Sequence, residues 1–322
     1  MVRSVVVAIL GPTATGKSAL ALSVAERYGG EIVNCDSTAV YRGFDIGTDK
    51  VPLAARRGIP HHLIDIVDPC DDYTAAQYAR DAAQTIREIQ RRGRTAIIAG
   101  GTGFYYRALT RGLFPGPGRN AALRTRLESI ANRRGASFLH RMLARFDRES
   151  SRRIQPRDVK RVVRALEVFL LTGRPLTAHF ANTRSEIPEL DVLPIGLRVP
   201  LHLTWDRVTR RVEQQFEHGL LEEIRRLLAE GVPEDARPFG GLVYRQALEH
   251  LRGVRDEPST RALIAQQNRR YARRQLIWFR KEPNLRWFDG PGESVATIDA
   301  VSRFLDARLL GTGDEASLSS HE

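Results

Sequence analysis

The stretch "LGPTATGKSALA", residues 10–21, is the most informative part of this chain. It fits the phosphate-binding pattern G-x-x-x-x-G-K-[ST], with Gly11, Gly16, Lys17 and Ser18 in the fixed places. The apolar run "VVVAIL" precedes it and an amphipathic helical pattern follows it. Backbone N–H groups in such a loop converge on phosphate oxygens at a helix N-terminus, where the helix dipole favours an anion. We therefore predict a phosphate or pyrophosphate site.

Two side chains of the loop add charge to this site. Lys17 supplies a mobile positive charge, and the hydroxyl of Ser18 can hold a Mg²⁺ ion that bridges the same phosphates. Such loops usually hold ATP or GTP, but the pattern alone leaves open whether another pyrophosphate compound takes their place.

Strand and helix patterns alternate along the first hundred residues, which predicts an α/β fold with a parallel sheet. Ligands of such folds bind at the carboxyl ends of the strands. The predicted strands are 3–10, 31–37 and 95–103, and the predicted helices are 17–29 and 75–93.

The pattern changes at "GLFPGPGRN", residues 112–120, which is typical of a linker. Helical periodicity follows from residue 123 to about 171, and an apolar strand then returns to the sheet. Residues 204–282 are mostly helical, before a short strand and a last helix. We predict an α/β core of residues 1–114 and 191–310, a helical insertion of residues 115–190, and a disordered tail of residues 311–322.

The net charge of +12 is concentrated in one segment. Residues 111–190 hold 17 basic and 7 acidic residues, whereas residues 1–110 hold 13 and 11, and residues 191–322 hold 20 of each. A polyanionic partner that docks on the middle segment explains this excess. The alternative is a basic face that is merely solvated.

Composition excludes several classes of protein. No stretch reaches the roughly 18–20 uninterrupted apolar residues of a membrane helix, and the first apolar run is a strand rather than a signal peptide. Cys35 and Cys70 are the only cysteines, too few for a disulfide framework or a zinc site. We expect a cytoplasmic protein with no membrane contact.

An acidic residue follows the second predicted strand. An ordinary NTPase has an acid at the end of a later strand to hold the water of its metal, but "TAIIAGGTG" ends in glycine and threonine. Asp36 lies instead after "EIVNC", with Ser37 beside it. A carboxylate there can take a proton from an incoming nucleophile. The alternative is a capping aspartate for the next segment.

These motifs and several others, in this order, resemble the tRNA dimethylallyltransferase (IPP transferase) family over residues 5–290. A set of separate motifs is far more specific than the loop alone. They are "GPTATGKS" (11–18), "DS" (36–37), "VYRGFDIGTDK" (40–50), "HHLIDIVDP" (61–69), "AGGTGFYYRAL" (99–109), "RALEVF" (164–169), "GLLEEI" (219–224), "VYRQAL" (243–248) and "YARRQLIWFR" (271–280).

The resemblance implies a P-loop NTPase-like parallel sheet core with an all-helical insertion domain. It implies a monomeric enzyme that takes a dimethylallyl group from dimethylallyl diphosphate to N6 of the adenine 3′ of the anticodon in a tRNA stem-loop, with Mg²⁺ as cofactor. The diphosphate is the leaving group. The implied diphosphate-binding residues are Gly11, Pro12, Thr13, Ala14, Thr15, Gly16, Lys17, Ser18 and Arg211, with Ser18 also the metal ligand.

The resemblance also implies roles at the reacting centre and against tRNA. Asp36 corresponds to the general base, and Thr102 to a threonine near the reacting atoms. Lys160, Arg161 and Arg164 fall on one helical turn, as a phosphate-backbone contact requires. The implied tRNA-binding residues are Asp36, Ser37, Thr38, Ala39, Thr102, Lys160, Arg161, Arg164, Tyr244, Arg245, Arg273, Arg274, Gln275, Trp278 and Arg280.

Four positions depart from the family's usual pattern. Ala39 stands where glutamine is common, Asp49 where alanine is common, and Val243 where glycine is common; "QPRD", which contains Arg157, replaces "HPND". The resemblance implies that Ala39 and Val243 lie in segments that face tRNA, so we expect these two departures to bear on recognition rather than on transfer.

Three other functions compete with this interpretation. An adenylate isopentenyltransferase shares the loop and Asp36 but lacks a basic helical insertion. A small-molecule kinase uses the loop for ATP and needs a second acid at a strand end. An RNA-binding module with a vestigial loop predicts loss of Lys17 or Asp36, and both are present.

Overall fold

A computed structural model describes residues 5–180 and 183–309. Its centre is a six-stranded sheet in which every pairing is parallel. This confirms the predicted α/β class, while the two-residue strand β3 is too short for a periodicity argument to find. The strands are β1 (Val5–Leu10), β2 (Gly30–Asn34), β3 (His61–His62), β4 (Thr95–Gly100), β5 (Asp191–Arg198) and β6 (Arg286–Asp289).

The helices predicted at 17–29 and 75–93 begin at the observed residues and end two residues earlier than predicted. The third strand ends at Gly100, three residues before its predicted end, and a helix begins at Gly103. None of the described helices is long and apolar enough to span a membrane. They are α1 (Lys17–Arg27), α2 (Ala75–Arg91), α3 (Gly103–Arg111), α4 (Ala121–Arg134), α5 (Ala136–Phe146), α6 (Arg148–Arg153), α7 (Val159–Thr172), α8 (Leu176–His179), α9 (Leu201–Glu217), α10 (Leu220–Ala229), α11 (Leu242–Leu251), α12 (Glu257–Phe279) and α13 (Val295–Leu309), with 3-10 helices at Leu53–Arg56 and Arg237–Gly240.

The described residues divide into two compact units. One, the sheet unit, comes from the described residues within 1–110 and 187–322, and the other, the helical unit, comes from those within 111–186. Each boundary lies four residues before the predicted one, because 115 − 111 and 190 − 186 both equal 4. The tail predicted for residues 311–322 lies outside the described residues.

The strand order β3-β2-β4-β1-β5-β6 places three functional segments side by side. β1 leads into the glycine loop, β2 into Asp36 and β4 into Gly101. In the parallel register Leu10 pairs with Gly100, and Asn34 pairs with Ala99, so the three strands end at one edge of the sheet. The loop and the carboxylate therefore meet at the edge where such sheets bind ligands.

Helix α1 fixes the loop to the core. Its residues Leu20, Ala21, Val24 and Ala25 repeat at helical spacing and are buried. They join a cluster with residues of β1 and β5 and with Val301 of α13. The N-terminus of α1, where the helix dipole is positive, is thereby held rigidly at the edge of the sheet.

The helical unit is held by its own apolar core, which includes Leu127, Leu139 and Leu166. A buried carboxylate lies beside that core. Glu167 accepts hydrogen bonds from the guanidinium of Arg124 at 2.9 and 2.8 Å, and from Arg164 at 2.7 Å. Burial alone would raise the pKa of Glu167, but the hydrogen bonds from the two arginines outweigh it and hold the pKa at about 2.

We predict that Glu167→Gln loosens the helical unit. The change leaves two partly buried guanidinium groups without their counter-ion, and breaking such a pair costs about 3 kcal/mol. Hydrogen exchange of residues 111–186 should report an opening free energy lower by that amount. The stabilisation is present above pH 4.5, the ordinary value, and is lost as pH falls toward about 2. The exposed Glu128→Gln serves as the control, and equal exchange in both variants would contradict the prediction.

Candidate active site

A cavity of about 230 Å³ lies at the carboxyl edge of the sheet, within the sheet unit. We call it the loop pocket. The glycine loop forms one wall, the segments after β2 and β4 form another, and α9 and α12 supply side chains. Its polar and charged lining includes Thr13, Lys17, Ser18, Asn34, Asp36, Thr48, Asp49, Lys50, His61, Arg207, Arg211, Tyr271 and Gln275.

The carbonyl groups of the glycine loop are tied to protein donors. Pro12 O accepts a hydrogen bond from Thr15 Oγ1 at 2.9 Å. Ala14 O accepts from Arg207 Nε at 2.7 Å, and Thr15 O accepts from the backbone N–H of Gly292 at 2.9 Å. With the carbonyl oxygens engaged in this way, the loop backbone is held in one orientation from behind.

The backbone N–H groups of residues 14–18, by contrast, make no hydrogen bond within the described part of the chain. Ala14 and Gly16 have positive φ angles of 61° and 84°, so the backbone alternates through left-handed conformations that bring successive N–H groups into a concave nest. The preceding N–H, that of Thr13, donates to Gln275 Oε1 at 2.8 Å. Five unsatisfied donors at a helix N-terminus form an anion site.

Lys17 adds a charge whose state depends on the ligand. Its ammonium donates to Pro12 O at 2.6 Å. Withdrawal from bulk water and, to a smaller extent, the neighbouring Arg211 lower the pKa of Lys17 to about 7, although Asp36 and Asp49 oppose the fall. A lysine poised in this way becomes fully charged when an anion arrives.

Arg211, on α9, reaches the same pocket. Its Nη1 donates to Thr13 Oγ1 at 2.8 Å and lies 2.9 Å from Asp49 Oδ2. Arg211, which the resemblance implies to bind diphosphate, is thus close to the loop but already paired with the carboxylate of Asp49.

Ser18 lines the pocket with an exposed side chain, and its hydroxyl has no hydrogen-bond partner among residues 5–180 and 183–309. No group of three or more His, Cys, Asp and Glu in those residues could hold a metal ion. A metal at this pocket would therefore take Ser18 and the oxygens of a ligand rather than a cage of side chains.

Asp36 is both a cap and an open carboxylate. Its Oδ1 accepts hydrogen bonds from the backbone N–H of Thr38 at 2.8 Å and from Thr38 Oγ1 at 2.6 Å. No described residue donates to its Oδ2, and the side chain lines the pocket. The two interpretations of Asp36 from sequence are compatible, because one oxygen caps the turn and the other remains available.

Thr102 holds the turn that carries Asp36. Its Oγ1 accepts from the backbone N–H of Ser37 at 3.0 Å, and its own N–H donates to Cys35 O at 3.0 Å. Gly100 allows this approach, because a Cβ there would collide with the backbone of Cys35. Thr102 therefore positions the carboxylate next to the pocket.

The residues predicted to contact tRNA lie in different environments. Arg273 and Arg274 of α12 are exposed, and so are Arg280, which follows that helix, and Arg245, Lys160 and Arg161. Trp278 is half-buried, with the Arg107 guanidinium 4.4 Å from its ring centre. These contacts stay predictions. The loss of Arg164 would disturb the pair with Glu167 as well as any phosphate contact.

Two of these residues have their polar atoms engaged inside the protein. Tyr244 is buried, donates to Glu223 Oε1 at 2.5 Å and accepts from the N–H of Gly47 at 3.0 Å. The amide of Gln275 accepts from Thr13 N and donates to Gly101 O at 2.8 Å. The buried Ala39 likewise offers little surface. The side chains of Tyr244 and Gln275 support the pocket walls.

Sequence pattern does not identify every residue of the pocket, and Arg207, Gln275 and Asp49 are examples. Arg207 stands one turn of α9 before Arg211, a spacing of four that places both on one face. The resemblance implies a tRNA contact for Gln275, whereas its amide binds the glycine loop. Asp49 is an unusual residue in its motif, and its pairing with Arg211 joins segments far apart in the chain.

Known proteins are similar to this chain in sequence and in fold. The family model described as IPP transferase matches residues 39–282. The tRNA dimethylallyltransferase of Solibacter usitatus is 49% identical over 306 residues, which are 93% of this chain and 98% of that protein. The tRNA dimethylallyltransferase of Thermomicrobium roseum is 44% identical and covers 99% of this chain and 96% of its own.

Solved structures of tRNA-modifying transferases are similar to this chain in fold. The full-length tRNA isopentenylpyrophosphate transferase of Bacillus halodurans superposes with a TM-score of 0.71 at 34% identity, over 96% of this chain and 97% of its own. A eukaryotic dimethylallyltransferase that acts on tRNA has the same fold, with a TM-score of 0.78 at 24% identity over 98% of this chain and 81% of its own. The resemblance predicted from the motifs is confirmed: the chain is an enzyme of the IPP transferase family.

Proposed function

We propose that the chain transfers a dimethylallyl group from dimethylallyl diphosphate to N6 of the adenine 3′ of the anticodon in tRNA. The observation that carries the proposal is the nest of open N–H groups at residues 14–18, with the free oxygen of Asp36 on the same pocket. The names of the relatives support tRNA as the acceptor.

The test is direct. Unmodified tRNA incubated with the protein and dimethylallyl diphosphate should gain one dimethylallyl group on that adenine, detected by mass spectrometry of its nucleosides, with one pyrophosphate released for each group. Transfer to AMP as efficient as transfer to tRNA would instead favour an adenylate prenyltransferase.

The loop binds the group that leaves. As the bond between C1 of the dimethylallyl group and the diphosphate oxygen breaks, negative charge grows on the diphosphate. The N–H groups of residues 14–18 and the ammonium of Lys17 are fixed donors that stabilise this charge without reorganisation. Arg211 is the further cation within reach.

Ser18 would hold the Mg²⁺ ion, since its hydroxyl is free and lines the pocket beside the loop. When bound with the diphosphate, the ion supplies additional positive charge to the leaving group. The rest of the charge stabilisation belongs to the chain itself.

Asp36 takes the proton. The N6 nitrogen of the adenine forms a bond to C1 as the C1–O bond breaks, and the excess proton on nitrogen passes to Asp36 Oδ2. Thr38 holds the other oxygen, so the carboxylate keeps one orientation throughout. Thr102 acts as a positioning residue through Ser37.

A kinase fits the pocket less well. β4 ends in Gly100 and continues into Gly101 and Thr102, so no acid stands where an NTPase holds the water of its metal. The acids on the pocket are Asp36, which follows β2, and Asp49. This arrangement suits removal of a proton from an amine better than hydrolysis of ATP.

The exposed arginines of the helical unit and of α12 suit a folded RNA. In the helical unit, every basic residue except Arg124 and Arg164 is exposed. A stem-loop offers many phosphates to such faces, whereas a free nucleotide offers few. The target adenine must leave its stack to reach Asp36, which a single-stranded anticodon loop permits at low cost.

We expect Asp36→Asn to bind both substrates but to lose about 10²- to 10⁴-fold in transfer rate, the usual loss for a general base. The amide keeps an oxygen for Thr38 and removes the proton acceptor. Asp68→Asn is the matched control, because Asp68 accepts a similar bond from the N–H of Cys70 without lining the pocket. A single-turnover rate of Asp36→Asn within a few-fold of wild type would reject Asp36 as the base.

We expect the protein to take up a proton when pyrophosphate binds, because the pKa of Lys17 is lowered in the pocket. With its pKa at about 7 in the empty pocket, Lys17 is mostly neutral at pH 8 and becomes charged when the anion binds. Calorimetry in buffers of different ionisation enthalpy should show an uptake of about 0.9 proton relative to Lys17→Arg, which stays charged. Affinity of the wild type should fall as pH rises above 7, more than in the variant. Parallel pH profiles for the two proteins would contradict the assignment.

The salt dependence of the affinity for tRNA tests whether Lys160 and Arg161 contact tRNA phosphates. The double variant Lys160→Ala with Arg161→Ala should flatten the slope of log affinity for tRNA against log salt by about one to two units. Pyrophosphate affinity should stay the same. The pair Arg303→Ala with Arg308→Ala, on the exposed side of α13, is the control. A slope equal to that of wild type would remove Lys160 and Arg161 from the interface.

A further inference from the structure

An acidic side chain faces the anion site. Asp49 lines the loop pocket, and its Oδ2 lies 2.9 Å from Nη1 of Arg211. The same nitrogen donates to Thr13 Oγ1 at 2.8 Å. The Arg211 guanidinium is thus shared between the loop, where a diphosphate would bind, and a carboxylate that carries the same sign of charge as that ligand.

The backbone and a second side chain hold Asp49 in this place. Its φ angle of 54° is in the left-handed region, which is uncommon for residues other than glycine. Its Oδ1 accepts a hydrogen bond from Gln215 Nε2 at 3.1 Å. Withdrawal from bulk water raises the pKa of Asp49, although Arg211 and Gln215 oppose the rise. The carboxylate is held facing the pocket despite this cost.

The other cations on the pocket have different partners. Lys50 donates to Asp45 and Asp65, and Arg207 pairs with Glu293 at 2.5 Å and caps the loop. These pairs make Lys50 and Arg207 weak ligands for an incoming anion.

Lys17 and Arg211 are therefore the pocket cations placed to meet a diphosphate. Of these two, Arg211 is the one that pairs directly with Asp49, whereas Asp49 acts on Lys17 only by favouring its charged form. Without the negative charge at position 49, no carboxylate in the pocket would compete with an incoming anion for the Arg211 guanidinium.

We propose that Asp49 competes with the diphosphate for Arg211 and so limits how tightly the pocket retains inorganic pyrophosphate after transfer. This rests on the proposed function and adds a specificity-determining residue to it. In the empty pocket Asp49 neutralises Arg211. When the anion binds, Arg211 turns from Asp49 to the phosphate oxygens, and the carboxylate repels the anion across the pocket.

The repulsion grows with the charge of the ligand. Asp49 should therefore weaken the binding of pyrophosphate more than the binding of phosphate. Removal of its charge should increase the ratio of the two affinities in favour of pyrophosphate. A residue that only orients Arg211 would have the opposite effect, because its loss would leave the guanidinium free to move and would weaken both anions.

The variant Asp49→Asn removes the charge and keeps an oxygen for Arg211. By calorimetry at pH 7, it should bind inorganic pyrophosphate on the order of tenfold tighter than wild type, with and without Mg²⁺, and inorganic phosphate less than threefold tighter. The control is Asp72→Asn, which breaks an aspartate–arginine pair outside the pocket. Asp72 Oδ1 lies 2.7 Å from Nη1 of Arg237, and neither residue lines the loop pocket, so the affinities of this variant should match those of wild type.

Three outcomes would overturn the inference. Weaker binding of pyrophosphate by Asp49→Asn only when Mg²⁺ is present would make Asp49 a metal ligand. Weaker binding in both conditions would make it a positioning residue for Arg211. Equal binding would make it irrelevant to the anion. Prenylation of tRNA by each variant, measured by mass spectrometry, reports separately on the proposed function, which stands if the groups are transferred whatever the pyrophosphate affinities.

Discussion

The carbonyl groups of the glycine loop are bonded from behind, and the rest of the site depends on this. Arg207 and the N–H of Gly292 hold the oxygens of Ala14 and Thr15. The backbone N–H groups of residues 14–18 are then left as donors with no partner among the described residues. A diphosphate bound there, as proposed, would offer several oxygens to these donors at once. On the proposed function the backbone is therefore the main anion-binding element, and Lys17 and Arg211 add charge to it.

The parallel sheet explains why Asp36 and the glycine loop lie together. β1, β2 and β4 are neighbours and end at one edge, so the segments that follow them meet there. Gly100 and Thr102 then bring the turn of Asp36 against the end of β4. The carboxylate is held by the fold rather than by a ligand, and so its geometry exists before either substrate binds.

Sequence was sufficient for those parts of the site that follow from short-range pattern. The loop at residues 11–18, the parallel sheet and Asp36 after β2 all come from local spacing. Whether a side chain is available depends on contacts between distant segments, which spacing does not reveal. Arg161 and Arg164 look alike on one helical turn, yet Arg164 is committed to Glu167 and to Pro117 O. Gln275 and Tyr244 lie in motifs that the resemblance assigns to tRNA binding. The polar atoms of both side chains are nevertheless hydrogen-bonded inside the protein.

Asp49 shows the same limit in reverse. As a single unusual residue in "GTDK" it carries no sign of its role, because its partner Arg211 lies 162 positions later, as 211 − 49 gives. Only the fold brings the two together. Sequence pattern therefore indicates which residues could carry the chemistry, and the tertiary structure shows which of their charges are paired.

The most direct test of the proposed site is a crystal structure with dimethylallyl S-thiolodiphosphate, an analogue whose carbon–sulfur bond resists transfer. We expect diphosphate oxygens within hydrogen-bond distance of the backbone N–H groups of residues 14–18, with C1 of the dimethylallyl group on the side of the pocket that faces Asp36. A diphosphate bound elsewhere, or one held by side chains with those N–H groups still open, would contradict it.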